Sequence, residues 1–149
     1  MKMKQWVVDT WVLERCNDFS SNDCLDCISF LCIILDYGTV CLDTEREIEA
    51  EYYRYIRSGT FLSRWWHRIV REKGQIYYFS NKLSNKHKVH LVNNLNFDQS
   101  DVKFVGVASK TRNRLLTSGD SDYNKDICNY LFNELTIRVI CPKEAVHLP

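Results

Sequence analysis

Short apolar runs alternate along the chain with longer segments in which apolar residues recur at helical spacing. The short runs are residues 6–8, 39–42, 115–117 and 137–140, and residues 76–79 are a further candidate for an edge strand. Wholly apolar strands separated by helices are typical of a buried parallel sheet with helices on both faces. We therefore predict an α/β fold, a three-layer α/β/α sandwich around a mainly parallel sheet of four to five short strands.

Capping and turn residues divide the remaining segments into helices. We predict helices over residues 10–15, 24–35, 44–56, 60–73 and 84–94, and two more that begin after the caps Asp98 and Asp122. We expect Pro142 to end the last strand. The chain contains no internal repeat, low-complexity tract or linker, so residues 1–149 are predicted to form a single domain.

The apolar runs are too short to span a bilayer. The longest covers residues 28–35 and is followed by Asp36, whereas a spanning helix needs about 20 apolar residues. The N-terminal segment is basic, but Asp9 interrupts its apolar stretch too early for a signal peptide. We expect a cytoplasmic protein that does not enter the membrane.

Seven cysteines are many for a chain of 149 residues. Their odd number and the expected cytoplasmic location favour reduced thiols. Cys24 and Cys27 have a CxxC spacing, with Cys32 five residues later, but no second CxxC or nearby histidine completes a zinc site. We predict that these three thiols are packed as small hydrophobic groups.

The net charge of +1 hides a strong asymmetry. Residues 5–51 contain eleven acidic residues and two arginines, whereas residues 54–90 contain nine lysines and arginines and one glutamate. An acidic site beside a basic surface suits a metal-dependent enzyme that acts on a polyanion. The simpler alternative is that these charges belong to solvated helix faces.

Four acidic residues lie where a strand or helix is predicted to begin or end: Asp9, Glu51, Asp101 and Asp120. Each has a simpler explanation, as a helix cap, an ion pair with a nearby arginine, a second capping carboxylate or a turn residue. Together they would form a pocket of like charges, which a hard divalent cation such as Mg²⁺ or Mn²⁺ neutralises. Sites of this kind commonly catalyse reactions at phosphate groups.

The order of these acids resembles the pattern of the PIN domain family of metal-dependent ribonucleases. The matching segments are Val7-Val8-Asp9-Thr10, Ile48-Glu49-Ala50-Glu51-Tyr52, the stretch from Phe97 to Phe104, and Thr117-Ser118-Gly119-Asp120. The resemblance covers nearly the whole chain. Signatures of other phosphate enzymes are missing from the sequence, since Asp9 is not followed by a second acid and the five glycines are isolated from one another.

The resemblance implies the roles of individual residues. Asp9, Glu51, Asp101 and Asp120 would be the catalytic, metal-binding acids, with Asp122 auxiliary, and either Ser118 or Thr117 would supply the family's hydroxyl group. Glu47 is an alternative to Glu51, one helical turn away. From the basic block we expect RNA-binding side chains, namely Arg64, Arg68, Lys82, Lys86 and Lys88. Tyr78 and the tryptophans Trp65 and Trp66 are candidates for base stacking, although core packing is the favoured interpretation of both tryptophans.

The expected function is therefore a Mg²⁺- or Mn²⁺-dependent endoribonuclease. A short, single PIN domain is similar to the toxin of a toxin–antitoxin pair, so an antitoxin protein and a second copy of the chain in a homodimer are expected partners besides RNA. The alternative is a catalytically inactive PIN-like scaffold that binds RNA or protein without cleavage.

Overall fold

The computed structural model describes residues 3–148, in which five parallel strands form one sheet. The strands are β1 (Lys4–Val8), β2 (Gly38–Asp43), β3 (Ile76–Phe79), β4 (Leu115–Thr117) and β5 (Arg138–Ile140). Their order across the sheet is β3-β2-β1-β4-β5, and every neighbouring pair is parallel. The direction of winding reverses between β1 and β4, which makes the end of this strand pair the topological switch point.

Helices connect the strands. They are α1 (Thr10–Cys16), α2 (Cys24–Tyr37), α3 (Glu47–Tyr52), α4 (Phe61–His67), α5 (Asn85–Val89), α6 (Val102–Ala108), α7 (Lys125–Leu135) and α8 (Pro142–Ala145). Helices α4 and α5 continue into π-helical turns at Arg68–Glu72 and His90–Asn94, and a 3₁₀ turn at Gln99–Asp101 leads into α6.

The helices cover both faces of the sheet. Helices α1, α2 and α4 pack against one another, and α8 packs against α2. Helix α6 lies across β1, β2 and β4, and α7 contacts β5. Because parallel crossovers are right-handed, the reversal at β1 and β4 places α6 and α7 on the opposite face from α1, α2 and α4, whereas α8 packs on the side of α2. The predicted three-layer α/β/α fold is confirmed.

The core surrounds the two central strands. All of β2 is buried, as are the last four residues of β1. Trp65 is 1% exposed and donates its indole N–H to the carbonyl of Leu31, and Trp66 is also buried. The favoured interpretation of the two tryptophans as core residues is therefore correct. The ring of Tyr78 is covered by the guanidinium group of Arg46, which lies 4.4 Å from the ring centroid.

Helix α3 is shorter than predicted because its start is fixed by Asp43, at the end of β2. The fully buried carboxylate of Asp43 accepts hydrogen bonds from the backbone N–H groups of Glu47 and Ile48, at 2.9 and 3.0 Å. It also accepts a hydrogen bond of 2.8 Å from the side-chain amide of Asn81. Arg46, just before the helix, adopts the left-handed conformation with φ 65°. The segment 44–46 is thus a turn rather than the first part of the helix.

One other predicted helix boundary is wrong. Asp122 does not cap α7; the side chain of Asn124 does so by accepting a hydrogen bond from the backbone N–H of Ile127. The last strand ends at Ile140, before Pro142, as predicted. Pro142 also occupies the first turn of α8, a helix that was not predicted, and its missing N–H costs nothing there.

Helix α6 approaches the segment after β3 unusually closely. A Cβ atom on Gly106 would lie 2.0 Å from the carbonyl oxygen of Asn81 and 2.5 Å from its carbonyl carbon. Because these are backbone atoms, they cannot move aside as a flexible side chain would. The absence of a side chain at Gly106 therefore sets the distance between α6 and the loop that binds Asp43.

The cysteines follow the prediction in part. All seven are free thiols; Cys24 and Cys27 are buried, whereas Cys32 is exposed. Burial raises the pKa of Cys27 to about 12, which keeps its thiol protonated at neutral pH. Among residues 3–148, no helix is both long and apolar enough to cross a membrane.

We predict that Asp43→Ala lowers the free energy of unfolding by about 3 kcal/mol, because buried N–H groups lose a charged acceptor. Urea denaturation followed by circular dichroism measures the change. The control is Asp36→Ala, whose exposed carboxylate lies 3.9 Å from Lys73 and contributes at most about 0.5 kcal/mol. Equal effects of the two substitutions would contradict the role given to Asp43.

Candidate metal centre

Asp9 and Ser118 join the ends of β1 and β4 at the switch point. The backbone N–H of Asp9 donates to the carbonyl of Thr117 at 3.0 Å. The hydroxyl of Ser118 donates to Oδ2 of Asp9 at 2.6 Å and accepts a hydrogen bond of 3.0 Å from the backbone N–H of Asp120. The hydroxyl of Thr117 is buried without a partner. Ser118, rather than Thr117, is thus the hydroxyl residue that contacts the carboxylate.

Asp9 occupies the N-cap position of α1, but its side chain makes no capping hydrogen bond. It is 4% exposed. Burial is the largest cause that raises the pKa of Asp9 to about 6; the hydrogen bond from Ser118 opposes this shift, and the charges of Asp120 and Glu51 add to it. The simple interpretation of Asp9 as a helix cap therefore does not account for where its carboxylate lies.

Asp101 closes the 3₁₀ turn that leads into α6 and is partly buried. Burial is the largest cause that raises the pKa of Asp101 to about 7, followed by the charges of Asp9 and Asp98; Lys103 opposes this shift. Asp98 caps the turn by accepting a hydrogen bond from the backbone N–H of Ser100 at 2.9 Å. Asp101 itself makes no capping hydrogen bond.

Glu51 reaches the same region from α3. Its Oε2 lies 2.7 Å from the ammonium nitrogen of Lys103, so its ion-pair partner is neither of the nearby arginines, Arg54 and Arg57. The next residue, Tyr52, is fully buried and donates its hydroxyl to the carbonyl of Val8. This hydrogen bond fastens α3 to the end of β1 and keeps Glu51 close to Asp9.

A group of three carboxylates is close enough to share one cation. Asp98, Asp101 and Asp122 each offer an oxygen, and these oxygens lie within 4.8 Å of one another. Among residues 3–148, no three of the four predicted acids meet this distance, although Asp9, Asp101 and Asp120 influence one another through their charges. Asp98 was predicted only as a cap; its position three residues before Asp101 is the sequence signal that places both carboxylates on the same side of the turn.

Tyr123 supplies an unused hydroxyl beside these acids. The residue is 9% exposed, and its ring packs edge-to-face on Phe97 with 5.4 Å between centroids. Its buried hydroxyl has no hydrogen-bond partner. Burial raises its pKa, and so do the charges of Asp9, Asp101, Asp120 and Asp122. Carboxylate oxygens and a neutral hydroxyl suit Mg²⁺ or Mn²⁺, and a cation would offset the repulsion that raises the carboxyl pKa values.

A basic cleft of about 390 Å³ adjoins the acids. We name it the lysine cleft; it is lined by Glu47, Asn81, Lys82, Leu83, Lys88, Gln99, Ser100, Val102 and Lys103. Glu47 therefore faces the cleft, whereas Glu51 contributes to the charge around Asp9.

The predicted RNA-binding residues fall into two groups. Lys82 and Lys88 line the lysine cleft, and Lys86 is exposed on α5 close to them in sequence. Arg64 lines a different groove, and its guanidinium group donates to the carbonyl of Gly59. Arg68 pairs with Glu72 at 3.6 Å. The two arginines therefore do not line the cleft beside the acids.

Comparisons of the chain with protein-family models, with curated proteins and with solved structures give no significant match.

We predict that the protein without divalent cations loses stability as the pH rises from 5 to 7.5. The pKa values of Asp9 and Asp101 are raised on folding from 3.8 to about 6 and about 7. The folded state therefore binds more protons than the unfolded state in this range, and the free energy of unfolding falls as both groups ionise. Over the whole range from the unfolded pKa to the folded one, Asp9 alone contributes on the order of 3 kcal/mol, about half of it above pH 5.

Thermal unfolding in EDTA at several pH values measures this dependence. Asp9→Asn is expected to reduce the slope, because an amide does not ionise, whereas Asp36→Asn leaves it unchanged. Stability that rises with pH between 5 and 7.5 in EDTA would contradict the prediction.

Proposed function

We propose that this protein is a divalent-metal-dependent endoribonuclease that hydrolyses phosphodiester bonds of single-stranded or structured RNA, with Mg²⁺ or Mn²⁺ as its cofactor. The observation that carries the proposal is the pair of carboxyl groups of Asp9, buried at the switch point of a parallel sheet, and of Asp101, which is partly buried. Burial is the largest cause that raises the pKa of each, and the charge of Asp9 raises the pKa of Asp101 further. Ligand sites of α/β proteins lie at such points. The resemblance of the ordered acids to the PIN domain family supports the same function.

The acids and their neighbours would hold the cation and keep each other in place. Asp9, Glu51, Asp101 and Asp120 remain the proposed catalytic acids, with Asp98 and Asp122 close enough to Asp101 to take part in binding. Ser118 orients Asp9 through its 2.6 Å hydrogen bond. The cation, when bound, supplies a water molecule of lowered pKa and a positive charge beside the phosphate.

The lysine cleft is the proposed path of the RNA backbone. Lys82 and Lys88 present positive charge beside the acidic site, and phosphate contacts of this kind dominate the affinity of proteins for nucleic acids. Lys86, Arg64 and Arg68 are proposed to contact more distant parts of a long substrate. Base stacking on Trp65 is not part of the proposal, because that ring is buried.

The proposed biological role is that of a cytoplasmic toxin restrained by an antitoxin protein, with a homodimer as the assembly. Both parts rest on the resemblance to the PIN domain family. Growth arrest on expression, relieved by Asp9→Asn, is the result expected of a toxin; unimpaired growth during expression of an active nuclease would favour a housekeeping role in RNA processing.

One observation favours a second candidate, a PIN-like scaffold that binds RNA or protein without cleavage. The ammonium group of Lys103 already neutralises Glu51, one of the four predicted acids. A scaffold would bind RNA through the lysine cleft and leave it intact.

We predict that the wild-type protein cleaves a labelled single-stranded RNA in the presence of Mn²⁺ or Mg²⁺ and that EDTA stops the reaction. Asp9→Asn and Asp101→Asn each reduce the rate by more than about 100-fold, because each removes a negative charge from the metal site. The rate is measured from the disappearance of intact RNA on a denaturing gel.

The matched control is Asp36→Asn, in the last turn of α2 before the start of β2, which is expected to leave the rate unchanged. Circular dichroism checks that every variant is folded, and a DNA strand of the same sequence tests the preference for RNA. Binding of several RNAs without cleavage would favour the scaffold. Cleavage that survives both substitutions would contradict the proposed site.

We further predict that Lys82→Gln and Lys88→Gln weaken RNA binding without altering the metal site. In the non-cleaving Asp9→Asn background, each substitution lowers the salt dependence of the logarithm of the association constant by about 0.7 for single-stranded RNA. Fluorescence anisotropy at several salt concentrations measures this slope. Lys125→Gln, an exposed lysine on α7, serves as the control, and an equal effect there would contradict the role of the cleft.

A further inference from the structure

Lys103 stands at the boundary between the acidic site and the lysine cleft. It lies in the first turn of α6, two residues after Asp101, and its side chain is 12% exposed. Its ammonium nitrogen is 2.7 Å from Oε2 of Glu51 and also donates to the carbonyl of Ser100. The same side chain lines the cleft together with Lys82 and Lys88. An ammonium group is thus held at the acidic site by two oxygen acceptors.

This ion pair divides the site into two parts. On one side, the carboxylates of Asp98, Asp101 and Asp122 lie within 4.8 Å of one another. Among residues 3–148 no lysine or arginine forms an ion pair with them, although the charge of Lys103 lowers the pKa of Asp98 and opposes the rise at Asp101. On the other side, the charge of Glu51 is already matched by Lys103. Like charges a few ångströms apart repel strongly near a protein surface. The ammonium group of Lys103 would therefore repel a divalent ion beside Glu51 more strongly than a divalent ion beside Asp101.

The hydroxyl of Tyr123 is an unpaired polar group near these carboxylates. It is nine-tenths buried and has no hydrogen-bond partner, and the charges of Asp9, Asp101, Asp120 and Asp122 all act on it. A buried hydroxyl without a partner costs free energy unless a ligand or water completes it. The Lys103 ammonium, by contrast, already has its partners.

We propose that Lys103 takes the position beside Glu51 that a second divalent cation would otherwise occupy, so that the site binds one divalent cation, on the side of Asp101, together with one tethered ammonium group. This inference rests on the proposed function and specifies which cations its site holds. A lysine is a compact charge on a flexible stem with three donors. Lys103 can therefore hold Glu51 and still face the lysine cleft, through which the RNA phosphates are proposed to enter.

The test counts the Mn²⁺ ions bound by the full chain in the absence of RNA. Isothermal titration gives the stoichiometry, and electron paramagnetic resonance detects the coupling between two neighbouring Mn²⁺ ions. The wild type is expected to bind one Mn²⁺ without such coupling. Lys103→Met, which keeps the stem and removes the charge, is expected to bind two Mn²⁺ ions that are coupled.

Two further variants identify the position of the second ion. Glu51→Gln combined with Lys103→Met is expected to return the count to one, because the ligand of the second ion is lost. Lys82→Met, which removes another charge from the same cleft, is expected to leave the count at one. If Lys103→Met does not fold, Lys103→Gln replaces it, and the wild-type count alone already tests the first half of the inference.

Two Mn²⁺ ions in the wild type, or one in both the wild type and Lys103→Met, would overturn the inference. If the wild type binds two ions and also cleaves RNA in a reaction that Asp101→Asn abolishes, the proposed function stands and this inference alone fails. Absence of Mn²⁺ binding by the wild type would overturn the inference together with the metal site. Absence of cleavage with one bound Mn²⁺ would instead contradict the proposed function and leave the ion count intact.

Discussion

The arrangement of the acidic edge depends on one buried charge that belongs to no predicted site. Asp43 ends β2, and its carboxylate can remain in the interior because three N–H groups donate to it. Two of these donors fix the start of α3, which carries Glu51, and the third comes from Asn81, on which α6 packs. Helix α6 in turn carries Lys103 and follows Asp101 directly. The relative positions of Glu51, Asp101 and Lys103 thus depend on the hydrogen bonds that hold the buried carboxylate of Asp43.

Two kinds of force oppose each other at this edge. Strand pairing and the hydrogen bonds of Ser118 and Tyr52 draw the chain segments together, while the carboxylates that these segments carry repel one another. Burial is the largest cause of the raised pKa values of Asp9 and Asp101, and the repulsion adds to it. Lys103 pairs with Glu51 and also opposes the rise at Asp101. The fold holds these carboxylates close together, and the protein's own basic groups neutralise them only in part. Such a site is suited to binding a cation from solution.

The sequence predicted those features that arise from local patterns. The apolar runs gave the strands, their separation by helices gave the layers, and an acid directly after an apolar run gave the place of Asp9 at the end of β1. What it missed arises from contacts between distant segments. The shortening of α3 requires Asn81 to reach Asp43, and the pairing of Glu51 with Lys103 instead of a nearby arginine requires α3 and α6 to meet. Asp98 was understood as a cap, which it is, but its nearness to Asp122 depends on how the loop after β4 folds back.

The close approach of Gly106 to Asn81 has a consequence for recognising relatives of this protein. Isolated acidic residues are too common to identify a distant homologue, and many folds tolerate their movement by a turn. A helix that lies against a backbone carbonyl tolerates no Cβ atom at that point, so a descendant that keeps this packing must keep glycine there. A glycine five positions after the aspartate of the 3₁₀ turn is therefore a structural signature, inherited for steric reasons, by which divergent sequences of this kind can be aligned.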